Sequence, residues 1–216
     1  MRGRQGVILC ALSAPLWFNP VRAGMNHVFD FVLPLLHRGF AEKPWALLAW
    51  PAVAMVVGTL ARWMLGKHGQ RLAIVPRTKG GLLGIVTGPF LHANLAHLVA
   101  NLPPFLVLGA LVLRLGSHRF AETSAIVGLG SGCLVWLLAR KGAHMGASGV
   151  VFGFFGYLIG LAYFTRAVSD VLVAAVVLVF YGGMLAGLKP ARRETSWEGH
   201  LFGLLVGLAK VWWLRR

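Results

Sequence analysis

GASGVVFGFFGYLIGLAYF, residues 146–164, decides how the chain is read. After Ser148 the stretch carries no charge and no polar alternation. Its length suits a membrane-spanning helix better than a strand. A serine at its start is out of place. A hydroxyl inside a helix normally bonds back to a carbonyl one turn earlier. Here no earlier turn exists, and Gly146 and Gly149 leave the Oγ uncovered.

Two other apolar runs open on polar residues. Gly199-His200 precedes the run 201–214, and His92, His97 and Asn101 stand where a third run begins. A candidate nucleophile, base and hydrogen-bond donors therefore each sit at the start of a hydrophobic segment.

The chain has 216 residues, 57% of them hydrophobic and 12% charged, with mean hydropathy +0.73. Soluble domains carry about 25% charged residues, so this is the composition of an integral membrane protein. The formal charge is +15, from 21 basic and 6 acidic residues. In a soluble protein that excess would suggest nucleic acid. Here the basic residues fall between apolar runs, so membrane lipid headgroups are the expected partner and nucleic acid is not. Cys10 and Cys133 have neither metal-ligand spacing nor the pattern of a disulfide framework, and read as apolar filler. No metal or cofactor is expected.

Six spans are predicted, at about 45–65, 94–115, 120–139, 148–164, 171–188 and 199–214. The runs lack period-two alternation, so the fold class is all-α: a polytopic bundle of six transmembrane helices. Residues 45–216 form this membrane domain. Residues 1–44 form a basic, amphipathic lead-in, with Arg2, Arg4 and Arg22 around an apolar run too short to span. It reads as a targeting segment, an interfacial segment or an over-long start. Connections are short except for 66–93. Trp45, Trp63, Trp197, Trp212 and Trp213 sit near span ends, as an aromatic belt requires. The positive-inside rule gives no orientation, with 11 basic residues on the N-terminal side against 10 on the other.

Alternation of direction supplies the geometry. Spans two, four and six all begin on one face, so His97, Asn101, Ser148 and His200 share that face at similar depth. Small residues four apart let membrane helices approach backbone to backbone. Gly149 and Gly153 on span four, and Gly199, Gly203 and Gly207 on span six, form such rows. They begin at the polar residues and are expected to bring Ser148 and His200 together.

Serine needs a base to become a nucleophile, and histidine suits the task at neutral pH. No Asp or Glu is placed to orient His200, since Glu198, two residues away, points off that face. The candidate is a Ser–His dyad. His97 and Asn101, four apart on one helix face, are candidate donors to an oxyanion, with the backbone N–H of Ser148.

The segments His92-x4-His97-x3-Asn101, Gly146-Ala147-Ser148-Gly149 and Gly199-His200-x2-Gly203 resemble the rhomboid family of intramembrane serine proteases, over residues 82–214. The resemblance implies Ser148 as nucleophile, His200 as base, and His97 and Asn101 as oxyanion support. His92 has the same role or a structural one. It implies that Phe152, one turn after the serine, stacks on the base, where tyrosine is common in relatives. It implies cleavage of single-span transmembrane substrates near the extracytoplasmic face, with the protein in a bacterial plasma (inner) membrane. The family often has a Trp-Arg pair in the loop between spans one and two; residues 66–93 hold none. Pro103-Pro104 should kink span two or leave carbonyls free.

Two other readings compete. One is a catalytically inactive rhomboid-like protein that binds membrane clients. The other is a small transporter, against which stands the expected absence of buried Asp, Glu or Arg pairs in spans two to six. His27, His37, His68, His118 and His144 read as interfacial or solvated, with His144 four residues before Ser148. Tyr157 and Tyr181 read as packing residues.

Overall fold

The computed structural model describes residues 44–190 and 196–213. Apart from Pro44, the predicted lead-in at 1–44 lies outside the described residues, and so does the end of the last predicted span.

A helix satisfies every backbone group within its own segment, which an apolar chain in lipid requires. The described residues are accordingly helical, with one isolated antiparallel bridge between Ile74 and His144. The elements are α1 (Ala46–Met64), a short α2 (Leu83–Thr87), α3 (Leu95–Leu113), α4 (Ser117–Leu138), α5 (Ser148–Thr165), α6 (Val168–Tyr181) and α7 (Trp197–Trp213). 3-10 turns at Gly66–Leu72, Gly80–Leu82 and Gly88–Phe90 fill the long connection, and α6 runs on as a 3-10 segment, Gly182–Leu188.

Among the described residues five segments are long and apolar enough to cross a membrane: α1, α3, α4, α5 and the continuous Val168–Leu188. The sixth expected span is α7, with 17 described residues. The chain is therefore an integral membrane protein built as a helical bundle.

The helix led by Ser148 is its centre. Across its apolar window α5 is 67% buried, against 11% for Val168–Leu188. A helix apolar all round can be covered on every side, and α5 packs against α3, α4, α6 and α7. Its tightest partner is α7. A Cβ on Gly203 would collide with the Gly149 carbonyl, and one on Gly207 with the Gly153 carbonyl. The glycine rows thus meet as expected, with backbone against backbone. Gly153 also faces α4, where a Cβ would collide with Val127.

α3 begins at Asn94, whose extended backbone (φ −153°) and side chain cap the helix: Oδ1 accepts the His97 N–H at 2.8 Å. The helix continues unbroken through Pro103 and Pro104. Without N–H groups there, the Val99 and Ala100 carbonyls lose their intrahelical donors.

The loop between the first two spans contains no adjacent Trp-Arg pair; it is tied to the end of α4. Arg77 donates to the carbonyls of Leu137 and Ala139 at the end of α4, both at 2.9 Å. Trp136 on α4 donates its indole N–H back to the Thr78 carbonyl at 2.9 Å. Arg77 thereby caps the negative end of α4.

Two expectations are corrected. Ion pairs do lie in the bundle: Arg114–Asp170 at 2.7 Å, Lys210–Glu122 at 2.9 Å with a buried lysine, and Arg140–Glu198 at 3.3 Å. The first joins the C-terminal end of α3 to the first turn of α6, where helix-end partial charges make ions tolerable, and in the second the long lysine stem carries its ammonium to the carboxylate. Their absence therefore cannot be used against a transporter. Cys133 is exposed rather than buried filler.

Candidate active site

Ser148 is the first residue of α5, so its backbone N–H has no intrahelical acceptor and points at the positive end of an 18-residue helix. The turn before it is fixed by close packing. Gly146 has φ +116°, a region closed to most side chains. A Cβ there would lie 2.7 Å from Cε1 and 2.9 Å from Nε2 of His97. Glycine thus allows the His97 ring to rest against the turn that presents the serine. The Gly146 N–H donates to the Gly88 carbonyl at 2.9 Å.

His92 holds the same turn from behind. It is fully buried, and its Nε2 accepts the Ala147 N–H at 3.4 Å. In the neutral ring Nδ1 then carries the proton and donates to Thr59 Oγ1 on α1 at 3.1 Å. Arg62, one turn further along α1, donates to the carbonyls of His92 and Ala93 at 3.3 and 3.1 Å. Burial, and secondarily the charge of nearby His97, lower the His92 pKa from 6.5 to about 4. The ring is neutral at physiological pH.

His200 lies in the first turn of α7. Its Nδ1 is 2.9 Å from the Gly187 carbonyl in the 3-10 segment after α6. A carbonyl only accepts, so Nδ1 carries the proton and Nε2 of the neutral ring is the acceptor. Phe152, one turn along α5 from Ser148, stacks flat on the imidazole, with centroids 4.4 Å apart and planes 7° apart. As expected, Glu198 does not reach this ring. It is buried and its carboxylate faces Arg140.

Asn94, His97, His144, Ser148, Ser196 and His200 all line one cavity of about 530 Å³ where α3, α5 and α7 begin. Ser148 and His200 share it without a hydrogen bond between them, and catalytic contacts are often long before substrate arrives. Beneath Ser148 a second cavity of about 40 Å³ reaches Ser131 and Gly199. His92 is not on the main cavity's wall. Asn101 is also behind it, buried and donating its amide to the His97 carbonyl at 2.7 Å.

Three features escaped the sequence. The Gly187 carbonyl leaves no trace, because every residue has one. The Thr59–His92 contact joins residues 33 apart, and nothing local marks it. His144 is corrected from solvated to buried: its ring bonds Ser196 and the Arg140 carbonyl. Its spacing of four before Ser148 was the one available signal. Among the described residues no three His, Cys, Asp or Glu side chains converge as a metal site would require.

A central helix headed by a serine, with a histidine of defined tautomer across a shared cavity, defines a class of polytopic helical membrane protein with polar side chains gathered at the helix starts. The chain belongs to the rhomboid family: the Rhomboid domain model matches residues 79–216. It is similar to uncharacterised proteins of Mycobacterium tuberculosis and Mycobacterium leprae. The first is 38% identical over 158 residues, covering 68% of this chain and 66% of that protein. The second is 36% identical over 168 residues, covering 74% and 65%. The chain thus spans just under two thirds of these relatives. It is also similar to the chloroplastic rhomboid-like protein 11 of Arabidopsis thaliana, 30% identical over 145 residues, covering 61% and 52%.

Proposed function

We propose that this protein is an intramembrane serine endopeptidase working through a Ser148–His200 dyad. The observation that carries the reading is the bond from His200 Nδ1 to the Gly187 carbonyl. It leaves Nε2 as a base in the cavity that also contains Ser148. A third residue normally supplies this orientation. Here a backbone carbonyl does so, and among the described residues no carboxylate is bonded to the ring.

In the first step the Ser148 hydroxyl gives its proton to His200 Nε2 as Oγ bonds to the scissile carbonyl carbon. The oxyanion receives the Ser148 N–H, backed by the helix dipole, and a hydrogen bond from His97. Asn101 supports it from one turn deeper, through the His97 carbonyl. Collapse breaks the C–N bond, and the imidazolium protonates the departing amine. Water then gives a proton to His200 and attacks the acyl carbon. The C–Oγ bond breaks and Oγ recovers its proton. His92 acts structurally: its Nε2 accepts from Ala147 and has no proton to offer an oxyanion. Phe152 holds the imidazole plane.

The substrates are single-span transmembrane proteins, in a bacterial plasma (inner) membrane. Cleavage falls near the extracytoplasmic end of the substrate helix. Small residues precede the cut, because Gly146 and Ala147 leave a narrow slot. Helix-breaking residues near the cut favour cleavage, since a carbonyl locked in a helix cannot reach Ser148. Mass spectrometry of products from a reconstituted model substrate checks this, and cuts only at the cytoplasmic end would reject it. A fluorophosphonate probe tests the chemistry itself. Labelling at Ser148 is expected; its absence in folded protein would favour an inactive client-binding member.

A further inference from the structure

A second serine–histidine pair lies beside the first. His144 Nε2 is 2.9 Å from the Arg140 carbonyl, so Nε2 carries the proton. Nδ1 is then an acceptor, and the Ser196 hydroxyl donates to it at 2.7 Å. The pairs have matched spacing. His144 stands four residues before Ser148, and Ser196 four before His200. His144 and Ser196 stand in the chain just before α5 and α7, Ser148 and His200 in the first turns of those helices, and all four residues line the same cavity.

We propose that His144 and Ser196 are positioning residues that lock the loop carrying the nucleophile to the helix carrying the base. This rests on the reading of Ser148 and His200 as the dyad. The loop, residues 139–147, is held on its other side by Ile74, through paired backbone bonds with His144 at 2.9 and 2.8 Å. Among the described residues, Arg140 and His144 link it towards α7. Arg140 reaches Glu198 by its guanidinium at 3.3 Å and by its backbone N–H at 3.4 Å. His144 reaches Ser196.

The glycine contacts between α5 and α7 explain why such a clamp is needed. They let the helices approach closely, but glycine has no side chain to interdigitate and fix the register along the axis. A short, directional hydrogen bond one turn from each reacting residue supplies that register. A misplacement of about 1 Å at a reacting atom costs on the order of 100-fold in rate.

The full chain, reconstituted in phospholipid vesicles, provides the test. Ser196→Ala, His144→Phe, the double variant and Ser196→Thr are compared by turnover of a model substrate, by the rate of fluorophosphonate labelling at Ser148, and by hydrogen exchange over 139–147. Each single change is expected to lower kcat and labelling about 10- to 100-fold with KM within about twofold. The double variant should be no slower than the slower single, because one bond is lost in each. Ser196→Thr keeps the hydroxyl and should restore most of the rate. Exchange in the loop should rise in Ser196→Ala and not in Ser196→Thr. If His144→Phe fails to fold, the two Ser196 variants carry the comparison. Full activity in Ser196→Ala, multiplicative losses in the double variant, or labelling of Ser196 in Ser148→Ala protein would each overturn the proposal. The last would make Ser196 a second nucleophile. If wild type is unlabelled, the dyad reading fails, and the exchange data still decide the clamp.

Discussion

The Nδ1–H of His200 donates to the carbonyl of Gly187 at 2.9 Å, and the acceptor belongs to the 3-10 segment that extends α6. The rim of the bundle thus orients the His200 ring, the proposed base. A Cβ on Gly187 would lie 2.9 Å from that same Nδ1 and 3.4 Å from Phe152 Cζ. Gly187→Ala must push the ring or the segment away. The expected loss in kcat is about 10- to 100-fold, with KM little changed. Steady-state cleavage of a reconstituted substrate measures it, and an unaltered kcat would show that the ring is oriented by something else.

Removing either member of the dyad should remove nearly all activity, because nucleophile and base act as a unit. Ser148→Ala and His200→Ala are each expected to fall below about a thousandth of wild-type turnover. Circular dichroism should show unchanged helix. Robust proteolysis by purified Ser148→Ala would reject the assignment.

Phe152 and His200 stack nearly parallel, a contact worth about 0.5–1.5 kcal/mol beyond simple burial. Phe152→Leu keeps the apolar volume and loses the flat face. Turnover should drop several-fold while Ser148 remains reactive towards a small fluorophosphonate. Phe152→Tyr should retain activity, since the ring is kept. Equal rates for all three proteins would mean that the stack has no part in holding the base.

The contact between Gly203 and Gly149 leaves no room for a side chain. Gly203→Val should cost about 1–3 kcal/mol by forced separation of the helices and should abolish activity. A lowered unfolding temperature in detergent checks the first effect. A variant as stable as wild type would show that α5 and α7 are not packed backbone to backbone.

Acid should loosen the turn that carries the serine. His92 has a pKa of about 4 in the fold and 6.5 as a free side chain. Between those values the unfolded chain binds the proton and the folded one does not, so stability falls with decreasing pH. The contribution of the neutral ring is complete above about pH 6.5 and gone below about pH 4. His92→Gln should lower the unfolding temperature at pH 7 and narrow its gap from wild type towards pH 4. A gap constant across that range would remove His92 from the acid response.

How much was legible beforehand differs by residue. The apolar run after Ser148 could only be a spanning helix, because lipid offers no partner for its backbone groups. Alternation of direction then put Ser148, His97 and His200 at one end of the bundle, and glycine spacing foretold the meeting of α5 and α7. These properties are periodic or topological, so the order of residues contains them. Even so, Asn101 lies behind the cavity wall rather than on it, which a shared helix face did not reveal.

The sequence by itself therefore determined the class of fold, the pairing of the central helices and the candidate dyad. The tertiary structure alone decided which atoms hold them: the Gly187 carbonyl on His200, His92 between Thr59 and Ala147, Arg77 on the end of α4, and Ser196 on His144. Each joins segments distant in the chain. Three of the acceptors, the carbonyls of Gly187, Leu137 and Ala139, are backbone groups, identical at every position, so no residue type marks them. The tautomers of His92 and His200 follow from those partners, and that of His144 from the Arg140 carbonyl, because a free imidazole prefers neither nitrogen strongly enough to declare its role before folding.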